Sequence, residues 1–170
     1  MPFVQGSHIH TIPKWTKGWS VSFYFKPVGS APSGFGSILH NTIDSRTGCD
    51  PWCGYGQPGY RIPGIWTSPG QNQLHFASYV NGDHNYQVKG PDMLVDQWYS
   101  VLVKSEKMAN GNYMYSVTVD GQVIHQVENT TPQAFENVRT YVSNPWQPIA
   151  NGRIQNLRMT IEPEEHEAGK

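Results

Sequence analysis

Apolar side chains recur at every second position along most of this chain, a period that fits β-strands and excludes amphipathic helices. Residues 19–26 read Trp-Ser-Val-Ser-Phe-Tyr-Phe-Lys, so an extended backbone sends Trp19, Val21, Phe23 and Phe25 to one face. Ser20, Ser22, Tyr24 and Lys26 go to the other. In 73–80, Leu74, Phe76 and Val80 share one side while His75 and Tyr79 lie opposite, and 113–119 alternates in the same way. Further strands are expected over 36–43, 60–67, 85–89, 97–104, 122–127, 138–144 and 153–161, with an edge strand over 3–12. Two tight reversals, Asn81-Gly82 and Asp120-Gly121, use residues that tolerate the positive φ of a two-residue hairpin turn. About ten or eleven short strands at even spacing predict an all-β antiparallel sandwich.

Composition agrees. Charged residues are 15% of the chain, against a usual share of about 25%, while 17 glycines and 13 prolines supply chain reversals. One domain is expected over 1–161; the polar segment 162–170 has no periodicity and should fray. The net charge of −1 comes with no basic run, so counterion release offers no route to nucleic-acid binding. No run of about 18 apolar residues exists to insert in a membrane as a helix. The first six residues lack the basic and apolar regions of a signal peptide, and the expectation is a mature fragment of a secreted or extracellular protein rather than a cytosolic one. Two motifs lean that way. Cys49 and Cys53 flank Asp50-Pro51, a turn able to bring their Cα atoms within disulfide range; two reduced loop thiols are the alternative, and zinc would want more ligands. Asn129-Thr130-Thr131 is an N-glycosylation acceptor pattern.

From Trp98 onward three stretches stand in a telling order: Trp98-Tyr99-Ser100-Val101-Leu102-Val103, then Tyr115-Ser116-Val117-Thr118-Val119-Asp120-Gly121-Gln122, then Gly152-Arg153-Ile154-Gln155-Asn156-Leu157. This order resembles the laminin-G-like and concanavalin-A-like lectin/glucanase jelly-roll superfamily, and the likeness covers most of residues 15–161. The resemblance implies two curved antiparallel sheets packed face to face. It further implies binding of sugars, sulfated glycans or protein partners, often with calcium, although other members hydrolyse glycans.

The residues speak against hydrolysis. Glycosidases on such a scaffold set two carboxylates on one strand face, about 5–5.5 Å apart in a retaining mechanism. Here no Glu-x-Asp occurs, and the acids fall in loops, turns and the tail. No serine occupies a Gly-x-Ser-x-Gly elbow. His8-x-His10 would present two imidazoles on one strand face, a two-ligand start for a metal or simply an exposed edge. His40 and His75 fall mid-strand, where they either face a concave polar surface or, the preferred reading, stand half-buried with their hydrogen bonds satisfied.

Sugar recognition needs an aromatic face flanked by amides or carboxylates. Three loops carry that chemistry: Asp44, Arg46, Trp52 and Tyr55 in the first; Asp83, His84 and Asn85 in the second; Asn144 and Trp146 in the third. In each, the plain alternative is an ordinary turn whose aromatics cap the core edge. If calcium takes part, Asp44, Asp50 and Asp83 are the loop carboxylates to hold it. The expected function is therefore non-catalytic binding of a glycan or glycoprotein. The rivals are an adhesion or structural domain that pairs with proteins or with itself as a homo-oligomer, and a glycan hydrolase.

Overall fold

Residues 6–44, 56–143 and 146–164 are described by the computed structural model of the chain. They form eleven strands: β1 (Ser7–Trp15), β2 (Trp19–Pro27), β3 (Gly36–Thr42), β4 (Gly64–Thr67), β5 (Gln73–Val80), β6 (Asp83–Asp92), β7 (Tyr99–Lys107), β8 (Tyr113–Val119), β9 (Gln122–Asn129), β10 (Phe135–Val142) and β11 (Gly152–Ile161). All pair antiparallel. A six-stranded sheet, β1-β10-β3-β4-β5-β6, packs on a five-stranded sheet, β11-β2-β7-β8-β9. Among the described residues no helix is long and apolar enough to cross a membrane.

The alternation builds the core directly. Trp19, Val21, Phe23 and Phe25 are buried along β2, and their register sets Val21 against Val103, Phe23 against Val101 and Phe25 against Tyr99. From the other sheet Leu39, Ile65, Phe76 and Val88 form a cross-strand row. Trp15 is wholly buried beside Trp19, ring centroids 5.5 Å apart. One polar pair enters this interior: the Thr140 hydroxyl donates to Asn41 Oδ1 at 2.7 Å, so neither group is left bare.

Both expected hairpin turns are present. Asn81 and Gly82 adopt φ of 52° and 81°, Asp120 and Gly121 φ of 49° and 75°. Asn81 also ties the two sheets together at that end. Its amide N–H donates to Asn129 Oδ1 at 3.0 Å and its Nδ2 to the Glu128 carbonyl at 2.8 Å, while Thr130 N–H donates to its Oδ1 at 2.8 Å.

Strand boundaries depart from the sequence reading where pairing outweighs pattern. The return strand expected over 85–89 runs Asp83–Asp92, because β5 offers it a full ladder. The strand expected over 60–67 shortens to Gly64–Thr67, since Pro63 has no N–H to donate. β10 begins early, at Phe135, where it pairs with Trp15 of β1. A β-bulge between His8 and His10 corrects the reading that they share a face. His8 sits opposite Tyr141 and His10 opposite Thr140, neighbours on β10 that point to opposite sides. The start of the segment 162–170 is tied down: Glu162 N–H donates to the Gly18 carbonyl at 2.9 Å and Lys14 pairs with Glu164 at 2.6 Å.

If the shared interior holds the sheets together, Phe76→Ala should lower unfolding free energy in urea by about 3–5 kcal/mol, and Val123→Ala, on the exposed β9 edge, by less than about 0.5 kcal/mol.

Candidate functional site

In the middle of the six-stranded sheet, the positions that face away from the core are aromatic and imidazole rather than small and polar. The register aligns Tyr141 with His40, His40 with Gly64, Gly64 with Ala77, and Trp66 with His75. His40, Trp66, His75 and Tyr141 are all buried, so β3, β4 and β5 are covered on both faces. Gly64 makes this second layer possible. A Cβ there would lie 2.1 Å from the Trp66 ring, so only glycine lets the indole fold across the strand. His40 meets that indole edge-on at 5.3 Å and 88°. Trp146 closes the other side, 5.4 Å from His40 and 6.2 Å from Tyr141.

The layer opens to solvent at one rim. Phe35, 37% exposed, lies 5.0 Å from His75 and 6.5 Å from Trp66. The Arg61 guanidinium sits over the Trp66 ring, 5.5 Å from its centroid, and donates to Asn85 Oδ1. Gln87 and Lys89 continue the outward face of β6, Lys89 opposite His75. An aromatic surface thus adjoins a guanidinium, two amides and an ammonium group.

Two imidazoles in this layer are held uncharged at neutral pH. His40 Nε2 is 2.7 Å from the Tyr60 carbonyl, which can only accept, so Nε2 carries the hydrogen. Burial pulls the His40 pKa down to about 4; the Tyr60 bond opposes this, Arg61 adds to it, and Asp44 opposes it weakly. Burial also lowers His75, aided by Arg61 and Lys89.

Comparison with solved structures fixes the architecture. The chain is similar to the heptameric SAP-like pentraxin of Limulus polyphemus, at 14% identity and a TM-score of 0.56, over 89% of this chain and 67% of that one. It is also similar to the VIP36 exoplasmic/lumenal domain solved in a Ca²⁺/Man3GlcNAc-bound form (13% identity, TM-score 0.51, 95% and 79% covered). The fold is the concanavalin-A-like jelly roll. The same jelly roll underlies the alginate lyase Aly36B, to which this chain is similar at 15% identity and a TM-score of 0.53, with 92% and 75% covered. No protein-family model and no curated protein matches the sequence.

Within this jelly roll, the residues expected from sequence to bind ligand fall in different places. Trp146 belongs to the aromatic layer, but it is buried as a cover over His40 and does not present a free ring face. Asn85 reaches the rim through Arg61. Asp83 is exposed at the start of β6, its Oδ1 accepting the Asn85 N–H at 2.8 Å, with the half-buried His84 between them. Asp44 is buried just past β3, its backbone N–H donating to Thr42 Oγ1 at 2.9 Å. Arg46, Asp50, Trp52, Tyr55, Asn144 and the Cys49–Cys53 pair lie outside the described residues. Among the described residues no three His, Cys, Asp or Glu side chains gather as a metal-binding group. Asn129 is buried, its Oδ1 accepting from the Asn81 and Thr131 N–H groups; it is this burial, and not those bonds, that stands against a glycan on its Nδ2.

Sequence reasoning missed Phe35, Arg61 and Trp66 as members of one cluster. The signal was present as parity: His40, Trp66, His75 and Tyr141 all occupy strand positions opposite to those of the core residues.

The burial of His40 predicts an acid-sensitive fold. The unfolded chain takes up this proton as pH falls through 6.5, the folded one only near 4, so stability is full above 6.5 and drains between the two values. The loss should approach about 3 kcal/mol by pH 4. Urea melts across this window should show a shallower decline in His40→Gln than in the parent.

Proposed function

We propose that this protein binds a glycan, without cleaving it, at the solvent-facing rim of the aromatic layer on the six-stranded sheet. The supporting observation is the arrangement of Phe35, Arg61 and Asn85. An exposed ring and a guanidinium both pack against Trp66, and the guanidinium is also hydrogen-bonded to an amide. A pyranose ring needs an apolar platform for its C–H face and fixed donors for its hydroxyls, and preorganised donors lower the cost of ordering on binding. Gln87 and Lys89 extend the polar side along β6. The strands under the layer, β3, β4 and β5, carry no Asp or Glu, which speaks against a paired-carboxylate hydrolase on this face. Likeness to the VIP36 domain and the Limulus pentraxin supports the fold and leaves the sugar open. Within this proposal the protein acts outside the cell.

One observation favours a rival reading, a glycan-cleaving enzyme on the same face: His75 lies 5.0 Å from the exposed Phe35 at the rim, and burial favours its neutral form, which can accept a proton. Chromatography of alginate and other polysaccharides after incubation separates the two, since only the enzyme generates shorter chains.

Screening on a glycan array, with and without calcium, should yield at least one ligand. Phe35→Ala and Arg61→Ala should each weaken that ligand by tenfold or more in calorimetry, with melting temperature little changed for Phe35→Ala. Silence on the array in both conditions would refute the binding function.

A further inference from the structure

The opposite side of the molecule carries a second, differently built surface. Outward positions of β2, β7 and β11 line up in cross-strand rows: Lys26 with Arg153, then Tyr24 with Ser100 and Gln155, then Ser22 with Leu102 and Arg158. Trp98, immediately before β7, completes the first row, with Lys26 Nζ 5.4 Å from its ring centroid. Tyr24 and Trp98 are 42% and 36% exposed, on a face where most sandwiches show small polar groups.

A backbone irregularity makes this surface cationic. Arg153 and Arg158 are five residues apart, an odd interval that sends side chains of a regular strand to opposite faces. The bulge between Gln155 and Arg158, with Asn156 at φ 54°, inserts one extra residue. Arg158 is thereby aligned with Ser22 and joins Arg153 on the outside instead of entering the core. The two arginines register four residues apart on β2, about 13 Å along the strand. Acids near these rows are few. Asp120 accepts the Ser100 N–H at 2.8 Å, and Asp96 lies in the adjoining loop, its N–H donating to the Pro27 carbonyl. Glu106 is paired with Lys104.

We propose that this face of the five-stranded sheet is a second binding site, distinct from the rim of the aromatic layer, for an anionic oligosaccharide. Tyr24 and Trp98 supply platforms for sugar rings. Lys26, Arg153 and Arg158 meet carboxylate or sulfate groups, the arginines through paired N–H donors, and Gln155 is available to hydroxyls. The bulge fixes the spacing of the two guanidinium groups along the ligand.

Calorimetry with three tetrasaccharides tests this: an oligogalacturonate, a heparin fragment and cellotetraose. At least one of the anionic pair should bind and cellotetraose should not compete for the same surface; whichever anion binds identifies carboxylate or sulfate as the group recognised. Affinity should fall tenfold or more in the Arg153→Glu/Arg158→Glu double variant and also in Tyr24→Ala, and remain within twofold in Phe35→Ala, which alters only the other face. These side chains are exposed, and circular dichroism melts verify that the variants fold. No binding of either anion overturns the proposal. So does binding that survives Tyr24→Ala, which would reveal a diffuse charge effect. Sedimentation with phosphatidylserine vesicles by protein that ignores all three sugars would assign the face to lipid and overturn it equally.

Discussion

Burial of β3, β4 and β5 on both faces is the constraint on which the rest of this structure depends. Sandwich strands ordinarily bury one face and wet the other. Here the inward row of Leu39, Ile65 and Phe76 closes the shared interior, and the outward row of His40, Trp66 and His75 closes a second layer under the loops. The small residues Gly64 and Ala77 are the complement of that layer, leaving depth for the indole to lie across the strands.

Placing imidazoles in such a layer has a chemical consequence. A charged ring at His40 would lose its hydration, and the attraction of Asp44 is smaller than that loss, so the neutral form is selected. His40 then serves as a hydrogen-bond donor to the Tyr60 carbonyl, and thereby anchors the segment that presents Arg61. The guanidinium in turn stacks on Trp66 and engages Asn85, joining β6 to the chain before β4. Packing in the second layer and geometry at the rim are one system.

Much of the architecture was legible from local pattern. The alternation through 19–26 and the Asn81-Gly82 and Asp120-Gly121 turns specify elements without reference to distant residues, and the structure contains them. The site was less legible because it is made by register. Trp66 meets His75 through β4 pairing with β5, and His40 meets Tyr141 across about a hundred residues of chain, contacts that no short window reveals. The two histidines near the amino end misled for a related reason: a bulge changes parity, and nothing in Ser7-His8-Ile9-His10 announces one. Trp146 stood out in the sequence, but that it packs over His40 could not be read there, since an aromatic in a loop packs inward as readily as it faces outward.

The two sheets have four margins, β1, β6, β9 and β11, and each is irregular. β1 contains Pro13 and a bulge, β6 contains Pro91, and the ladders of β9 and β11 are each interrupted by a bulge. A missing donor or a local twist spoils the straight row of N–H and C=O groups that another chain would need to extend the sheet. At these described margins straight edge-to-edge pairing of copies into a continuous ribbon is thus disfavoured, which leaves contacts between side chains, across faces or loops, where a single substitution can undo them.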